Sequence, residues 1–397
     1  MHGLIIGSGI AGPVTAMALQ QAGVEATIFE AYPPPDAEVG SYFTITANGL
    51  EGLAAIGAKP LAIDSGFPTR RNVMWNHAGR RLVSLPLDST LPGSPYAHTI
   101  KRSRLAASLQ EEARRRGVPI EYERRLREAR MAPGGEVVAT FDDGTSVTGD
   151  FLIGADGVHS VVRRTIDPSA PPARYVGLTN FGGLTKGAAG EIESGEWHLM
   201  FGRKAFFGYT ATPGGDMVWF VNYPRPFITP EERASTDDDR WRATLGELFS
   251  SDAGPAAELI ENGRLELAAD NTHDLRHVPV WHRDSMVVIG DAAHAPAPSS
   301  GQGASMAIED GITLAQALRD EPTVSQAFVR YEAERRERVE KIVAWGARSS
   351  SSKTPGPVGR GLRDLFMGVA FKYMITERSL GWMYDYRASL ELSAPAA

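Results

Sequence analysis

The feature that most constrains the fold is a glycine-rich turn at the start of the chain. A strand-like run, Leu4-Ile5-Ile6, leads into Gly7-Ser8-Gly9-Ile10-Ala11-Gly12 and then a helix that ends at Gly23. In such a unit the glycines allow a tight turn, close approach of backbone N–H groups to a diphosphate, and close packing of helix on strand. Glu30 ends the second strand, where an acidic residue accepts hydrogen bonds from a ribose diol. The pattern predicts dinucleotide binding, without distinguishing FAD from NAD.

Two later segments repeat the order of strand, small-residue turn and helix. Phe151-Leu152-Ile153 leads into Gly154-Ala155-Asp156-Gly157, and Met286-Val287-Val288-Ile289 leads into Gly290-Asp291. A proline- and glycine-rich loop and a helix from about residue 304 to 318 follow the second of these. Each segment is predicted to deliver an acidic residue and free N–H groups to the carboxyl edge of a parallel sheet.

Composition excludes several classes of protein. The 397 residues contain no cysteine, which rules out disulfides, thiolate nucleophiles and cysteinyl flavin links. The formal net charge of −7 argues against nucleic acid as a partner. No uncharged apolar run is long enough for a membrane span, and the first strand begins too early for a signal peptide, so we expect a cytoplasmic protein.

The three motifs, in this order, resemble those of the group A flavoprotein monooxygenases, the family of p-hydroxybenzoate hydroxylase and the tetracycline-inactivating monooxygenases. The resemblance runs from Gly3 to about Val343. It implies that the first motif binds the ADP half of a non-covalent FAD and that Asp156-Gly157 lies by the pyrophosphate, with a role in transient nicotinamide binding. It further implies that Asp291 contacts the ribityl hydroxyls and that the loop from Pro298 to Gly303 borders the isoalloxazine.

Shorter matches extend the resemblance. Arg102 occupies the position of an arginine that reaches the FAD, and Leu126 the position of a residue near the adenine ribose. Ser305 is a departure, because asparagine is usual there. The closing helix is matched by Tyr331-Glu332 and by Arg335 and Arg338. Together the predicted cofactor-binding residues are Gly7, Gly9, Ile10, Ala11, Gly12, Glu30, Arg102, Leu126, Asp156, Gly157, Asp291, Pro298, Gly301, Gly303, Ala304 and Ser305.

The expected fold class is α/β, with a Rossmann-like FAD-binding domain and a mixed antiparallel β-sheet substrate domain like that of p-hydroxybenzoate hydroxylase. The motifs predict a discontinuous FAD-binding domain of residues 1–72, 98–172 and 276–345. Residues 73–97 and 173–275 are predicted to form the substrate domain, and 346–397 a C-terminal linker and helix. The linker is expected at 349–361, with a helix indicated by Leu362, Phe366, Val369 and Tyr373.

Three strand-like runs, 197–201, 206–212 and 217–223, dominate the predicted substrate domain, and Pro213-Gly214-Gly215 predicts a hairpin turn between the last two. Alternate side chains face opposite sides of a sheet. One face should pack on helices and the other should roof a cavity over the flavin, but the sequence does not say which. The pocket candidates are His198, Met200, Phe201, Tyr209, Trp219, Asn222 and Pro298.

The functional hypothesis is an FAD-dependent monooxygenase in which NADH or NADPH reduces the flavin, O2 adds at flavin C4a, and one oxygen atom passes to a small electron-rich molecule. Aromatic hydroxylation and alkene epoxidation both remain open, and no catalytic base is named. Same-fold alternatives are a halogenase or a prenyl reductase; the alternative from another class is a catalytically inactive FAD-binding partner protein. His273, His277 and His282 lie in a connector without further ligands, so no metal site is predicted. The oligomeric state is left open.

Overall fold

The computed structural model describes residues 1–37, 40–87, 89–190, 192–297, 300–351 and 377–390. Its strands are β1 (His2–Ile6), β2 (Glu25–Phe29), β3 (Tyr42–Ile45), β4 (Gly66–Thr69), β5 (Arg71–Asn76), β6 (Arg81–Pro86), β7 (Ala97–Lys101), β8 (Ile120–Glu121), β9 (Leu126–Met131), β10 (Val137–Phe141), β11 (Ser146–Gly149), β12 (Phe151–Gly154), β13 (Arg174–Thr185), β14 (Glu196–Phe201), β15 (Phe206–Ala211), β16 (Met217–Pro224), β17 (Arg264–Asp274), β18 (His282–Arg283) and β19 (Met286–Val288). Its helices are α1 (Ala11–Gln21), α2 (Ala47–Ala55), α3 (Lys59–Ser65), α4 (Arg102–Arg115), α5 (Val161–Ile166), α6 (Pro230–Ser235), α7 (Asp238–Phe249), α8 (Ala256–Glu261), α9 (Gly303–Asp320), α10 (Val324–Ser351) and α11 (Glu377–Tyr384).

A parallel sheet carries all three predicted motifs. Its strand order is β18-β19-β12-β1-β2-β8, and only the edge strand β18 is antiparallel to its neighbour. Leu4 and Ile5 of the central strand are fully buried, as expected for a strand covered on both faces. The predicted strands β1, β12 and β19 are therefore confirmed as neighbours, and the turns that follow them meet at one edge of the sheet.

Helix α1 packs on this sheet, and α9 packs against both α1 and α10. The contact between α1 and α9 is close: a Cβ added at Gly311 would lie 2.4 Å from Thr15 Oγ1. The predicted linker at 349–361 is wrong at its start, because α10 continues through Ser351. The rest of that linker and the helix expected around Leu362 to Tyr373 lie outside the described residues.

A second, large sheet has the order β17-β13-β16-β15-β14-β5-β6. The three strands predicted from the sequence are β14, β15 and β16, and the hairpin turn is closed by hydrogen bonds between Thr212 and Asp216. Neighbouring strands are antiparallel except for β14 and β5, which run parallel. This parallel pair makes the sheet mixed, as the expected fold class has it. Helices α7 and α8 cover one face of the large sheet.

A small sheet, β3-β7-β4, faces the other side of the large sheet. Trp197 Nε1 of β14 donates to Thr99 Oγ1 of β7 at 2.9 Å, and Lys101 of β7 pairs with Glu266 of β17. These contacts join the small and large sheets, and a narrow cleft lies between them. No described helix is both long and apolar enough to cross a membrane.

Candidate cofactor site and inter-sheet cleft

The first and second glycine turns lie against each other. Gly7 has φ +103°, and a Cβ placed on it would lie 2.4 Å from the carbonyl oxygen of Ala155 and 3.2 Å from Asp156 Cα. Ala155 N also donates to Ile6 O at 2.8 Å. Only glycine combines this backbone conformation with this approach, so the tight turn predicted at Gly7 also brings the two motifs together.

The third turn joins the same site. Gly290 has φ +56°, and a Cβ there would lie 3.4 Å from the Cβ of Ala11 in the first motif. The buried guanidinium of Arg163 donates to Ala292 O at 2.9 Å and to Val158 O at 2.8 Å. The sequence analysis did not single out Arg163, although it bridges the second and third turns. The structure thus brings the three predicted motifs to one place.

Gly12 and Gly9 have different surroundings. A Cβ on Gly12 would lie 2.0 Å from Gly7 O, whereas a Cβ on Gly9 would meet nothing within 4 Å. Helix α1 begins at Ala11 with Ile10 as its N-cap, and no side chain caps its first N–H groups. Uncapped N–H groups at the positive end of a helix, beside open space, fit an anionic diphosphate.

Glu30 closes the outer side of the first turn. Its Oε2 accepts from Ser8 N at 2.7 Å and Ser8 Oγ at 3.0 Å, and its Oε1 accepts from Tyr32 N at 3.1 Å. A carboxylate offers about four acceptor positions, so capacity for a ribose hydroxyl remains. Leu126 is buried at the start of β9, and Arg124 N beside it donates to Glu30 O at 2.7 Å. The predicted ribose-binding pair is therefore adjacent.

Asp156 shapes the second turn. Its Oδ2 accepts from Val161 N at 2.7 Å and Val162 N at 3.1 Å, which fixes the start of α5. Burial raises the pKa of Asp156. Its Oδ1 is buried without a hydrogen-bond partner in the part of the chain that the structure describes. An orphaned oxygen of this kind fits a site that a bound group completes. Gly157, with φ +75° and open space at its Cβ position, leaves the turn uncovered.

Asp291 and the start of α9 share one pocket. A Cβ on Gly303 would lie 3.8 Å from Asp291 Oδ1 and 3.7 Å from Pro296 Cγ. Gly301 has φ +62° with nothing within 4 Å of its Cβ position, and Ala304 is half-buried in the first turn of α9. Pro298 lies outside the described residues, so its place at the isoalloxazine and in the pocket stays a prediction.

Ser305 faces into the protein. Its Oγ lies 3.1 Å from Thr46 Oγ1, and a Cβ on Gly49 of α2 would lie only 2.5 Å from it. Asn48 Nδ2 donates to Gln302 Oε1 at 3.0 Å and Gln302 Nε2 donates to Thr46 Oγ1 at 2.8 Å. A larger side chain at 305 would push α2 away. This explains the departure from the asparagine that the family resemblance leads one to expect.

A buried cluster of charges, Glu309, Asp310, Arg335, Arg338 and His294, anchors the third motif. Arg335 lies 2.7 Å from Glu309 and 2.8 Å from Asp310, and all three are fully buried. Asp310 Oδ2 accepts from Gly290 N at 2.9 Å and contacts His294 Nε2 at 2.5 Å. Burial alone would raise the pKa of Asp310, but His294 and Arg335 hold it well below the usual range. The cluster therefore fixes the turn that presents Asp291.

Arg102 and the three histidines are placed as follows. Arg102 is exposed at the start of α4, and its backbone N donates to Ser41 O at 2.9 Å. The histidines do not form a common site: His277 contacts Glu340 and His282 contacts Glu332, while His273 stacks edge-on against His159. Among the described residues no group of three or more acidic or histidine side chains could hold a metal ion.

Four of the pocket candidates lie on the helix-covered face of the large sheet. Met200, Tyr209 and Trp219 belong to the core between the sheet and helices α7 and α8, and the ring of His198 stacks on Tyr209 at 4.9 Å between centroids. Burial lowers the pKa of His198, whose Nδ1 accepts from Trp75 Nε1 at 3.1 Å. We therefore assign His198, Met200 and Tyr209 to packing. Trp219 packs in the same core and also borders the cleft described next.

The opposite face of the large sheet borders the cleft. This inter-sheet cleft is narrow and is lined by Gly40, Ser41, Tyr42, Gly182, Gly183, Trp197, Val218, Trp219, Phe220 and Glu266. Phe201 lies on this face in contact with the ring of Phe206 at 5.1 Å, and Asn222 Nδ2 donates to Asn180 Oδ1 at 2.6 Å further along it. The sequence analysis missed Tyr42, Trp197 and Phe220, because the period of two in a strand does not tell which face is covered.

Comparison with known proteins agrees with this geometry. Residues 1–346 match the family described as FAD binding domain. The chain is 28% identical to an FAD-dependent urate hydroxylase of Klebsiella pneumoniae, covering 86% of this chain and 88% of the relative. It is 30% identical to the aurachin C monooxygenase/isomerase of Stigmatella aurantiaca, covering 86% of each. It is also 30% identical to the 3-amino-4-hydroxybenzoate 2-monooxygenase of Streptomyces cremeus, covering 85% and 84%.

Solved structures show the same fold. The K. pneumoniae protein HpxO, in complex with FAD and uric acid, superposes with a TM-score of 0.81 at 24% identity over 97% of this chain and 96% of that one. The tetracycline destructase Tet(51) superposes with a TM-score of 0.69 at 17% identity over 100% and 99%. The expected α/β fold, with a Rossmann-like domain and a mixed sheet domain, is confirmed.

Proposed function

This chain belongs to the FAD-binding domain family, as a relative of the FAD-dependent monooxygenases, and we propose that it transfers one oxygen atom from O2 to a small electron-rich molecule held in the inter-sheet cleft. NADH or NADPH is the proposed reductant. The observation that carries the proposal is the meeting of three glycine turns at one edge of the parallel sheet.

The described residues fit FAD. The open space at Gly9 and the uncapped start of α1 suit the diphosphate, Glu30 suits the adenine ribose, and Asp291 suits the ribityl chain. The flavin ring would lie by Gly301 and the start of α9. Because the sequence contains no cysteine, the cofactor is held without a cysteinyl bond. Bound FAD supplies the redox chemistry, accepting a hydride and activating O2.

The protein's own contribution is orientation and exclusion of water. Trp197, Val218 and Phe220 present apolar surface to the cleft, and Trp197 and Val218 are almost fully buried. Exclusion of water from the site would limit the loss of activated oxygen as H2O2 before it reaches the substrate. In this proposal the substrate ring would lie against these apolar side chains.

The nicotinamide has no domain of its own. The sequence contains one glycine fingerprint, and the architecture contains one parallel sheet among the described residues. We propose that NAD(P)H visits the uncovered turn at Gly157 and leaves after hydride transfer. The division into an FAD-binding domain (1–72, 98–172, 276–345) and a substrate domain (73–97, 173–275) is part of the same proposal.

The test is substrate-stimulated NAD(P)H oxidation by the holoprotein. The panel of candidate substrates includes uric acid and 3-amino-4-hydroxybenzoate, after which two of the relatives are named. At least one compound of the panel should accelerate NAD(P)H oxidation and O2 uptake. Mass spectrometry should show a product with one added oxygen atom. A halogenated product or a saturated alkene formed without O2 would support the same-fold alternatives. An FAD-loaded protein that neither reductant reduces would be the inactive partner protein.

A further inference from the structure

The C-terminal segment of residues 377–390, termed the C-terminal clasp, is bonded to the loop between β6 and β7. Asp385 Oδ1 accepts from Ser89 Oγ at 2.7 Å and from Thr90 N at 2.8 Å. Its Oδ2 accepts from Thr90 Oγ1 at 2.5 Å. A Cβ on Gly381 would lie 2.6 Å from this second oxygen, so a side chain there would displace the carboxylate. Asp385 therefore fastens one side of the clasp to a distant part of the chain.

Two arginines of α10 hold the other side of the clasp. Arg338 Nη1 donates to Trp382 O, and its Nη2 donates to Met383 O, both at 2.8 Å. These carbonyls belong to the last turn of α11, where intrahelical partners are missing and a cation is favoured. The ring centroid of Tyr386 lies 4.2 Å from the guanidinium carbon of Arg338 and 5.2 Å from that of Arg335. The clasp thus covers both arginines of the buried charge cluster.

Arg338 also connects the clasp to the loop expected at the flavin ring. Its Nε and Nη2 donate to Glu309 Oε2 at 3.0 Å and Oε1 at 2.9 Å. Asn48 Nδ2 donates to Glu309 Oε1 at 2.7 Å and to Gln302 Oε1 at 3.0 Å. Glu309, Asn48 and Gln302 are all fully buried. A continuous chain of hydrogen bonds therefore runs from the clasp to the residue before α9.

The docked clasp supports this chain by keeping water from the arginines. Burial alone would raise the pKa of Glu309, but Arg335 and Arg338 hold it below the ordinary value. Release of the clasp would remove the ring of Tyr386 and two carbonyl acceptors from Arg338. Water at the guanidinium groups would raise the local dielectric constant and weaken their pairing with Glu309 and Asp310. Glu309 supports the flavin loop and Asp310 supports the third turn, so both would be loosened.

We propose that docking of the C-terminal clasp and binding of the flavin ring are coupled through Arg338, Glu309 and Asn48. Bound FAD orders the loop at Gln302 and favours the docked clasp, and the docked clasp tightens the binding of FAD. The two effects are reciprocal, because they share one coupling free energy. Arg338 and Asp385 are positioning residues in this inference. It goes beyond the proposed oxygenation and rests only on the proposed place of the flavin ring by α9.

The first test compares FAD with ADP in the wild-type protein. ADP carries the diphosphate but no flavin ring, and the ADP form is prepared by dialysing the holoprotein against excess ADP. Hydrogen–deuterium exchange of peptides from 377–390 should be about tenfold slower with FAD than with ADP, a size common for coupled sites. Peptides from α7 should exchange alike in both forms. Equal exchange of the clasp, or a difference that extends to α7, would overturn the coupling.

The second test removes the latch from the holoprotein. Asp385→Ala changes no predicted cofactor-binding residue, yet it should weaken FAD binding about tenfold. Asp143→Ala is the matched control, because Asp143 likewise accepts from the backbone N and the hydroxyl of one threonine, Thr145. It should leave FAD affinity unchanged. Dilution followed by flavin fluorescence gives each dissociation constant, and equal constants for Asp385→Ala and the wild type would contradict the inference.

The third test cuts the chain of hydrogen bonds in the middle. Asn48→Ala separates Glu309 from Gln302, so adding Asp385→Ala to it should weaken FAD binding by no more than about twofold further. A full tenfold effect in that background would mean that the clasp acts by another route. Arg338→Lys keeps the charge but not the two-point contact, and it should weaken FAD binding as Asp385→Ala does.

These outcomes are separate from those of the proposed function. Each readout is FAD binding or hydrogen exchange, and none needs a substrate or a reductant. If the coupling fails, substrate-stimulated NAD(P)H oxidation can still be observed. If NAD(P)H does not reduce the bound FAD, the proposed function is wrong and the coupling still stands.

Discussion

The three glycine turns and the large sheet reach their shapes by different means. In the turns the decisive neighbours are backbone atoms, such as Gly7 O, which would lie 2.0 Å from a Cβ on Gly12. In the large sheet the decisive neighbours are side chains: on consecutive positions of β14, Met200 faces the helices and Leu199 packs on the opposite face. A turn that tolerates only glycine can therefore be recognised from the residue types in the sequence. Which face of a sheet is buried depends instead on segments elsewhere in the chain that pack on it.

The largest effect is expected where that backbone contact is broken. Gly12→Val should prevent a stable holoprotein, because its Cβ would overlap Gly7 O, which cannot move without opening the turn. Gly9→Ala is the matched control, since its Cβ would meet nothing within 4 Å. It should fold normally and retain FAD less well. Purification yield, FAD content and thermal unfolding report both results, and a fully loaded Gly12→Val protein would refute the packing role.

A second prediction concerns the charges beneath the third turn. Arg335→Leu leaves Glu309 and Asp310 buried without their shared cation and should lower the free energy of unfolding by about 3–5 kcal/mol. Arg330→Leu, on the same helix, removes ion pairs of a side chain that is 27% exposed and should change it by about 1 kcal/mol or less. Urea unfolding measures both. Equal effects would show that the buried cluster is not the anchor inferred here.

The two faces of β14 can be separated by neighbouring substitutions. Met200→Ala opens a cavity in the core of the large sheet and should lower the free energy of unfolding by about 2–5 kcal/mol. Leu199→Ala, on the opposite face and packed against the cleft-lining Trp197 and Val218, should cost less stability and instead raise the KM of an aromatic substrate. Unfolding curves and steady-state kinetics distinguish these results. A shift in KM for Met200→Ala alone would reverse the assignment of the faces.

The same contrast explains which parts of the site could be predicted from the sequence. Gly7, Asp156 and Asp291 could be placed together because strand, turn and helix recur in parallel sheets with their carboxyl ends at one edge. Alternation places His198 and Trp197 on opposite faces of the sheet, but it does not tell which of the two faces the helices cover. Glu266 and Lys101 were not found at all. They lie far apart in sequence, and neither belongs to a local pattern, so only the packing of β7 beside β17 brings them together.

The smallest effect is expected from a substitution of Asp291, a side chain within a site that is otherwise formed by backbone groups. Asp291 lies in the turn before α9, with its Oδ1 3.8 Å from the Cβ position of Gly303, whereas the turn itself is fixed by the bond from Gly290 N to Asp310. Asp291→Ala should therefore fold with near wild-type stability but bind FAD about ten- to a hundredfold more weakly, as expected when a charged hydrogen-bond acceptor is removed.

Asp143→Ala supplies the control, because Asp143 is 44% exposed in the turn between β10 and β11 and should leave FAD affinity unaltered. Dilution of the holoprotein, followed by flavin fluorescence, gives the dissociation constant for each variant. Unchanged affinity in Asp291→Ala would remove the ribityl contact from the proposed site. FAD would then be held by backbone N–H groups at the glycine turns alone. The cofactor site would depend on backbone geometry, and the large sheet on side-chain packing, even more completely than proposed.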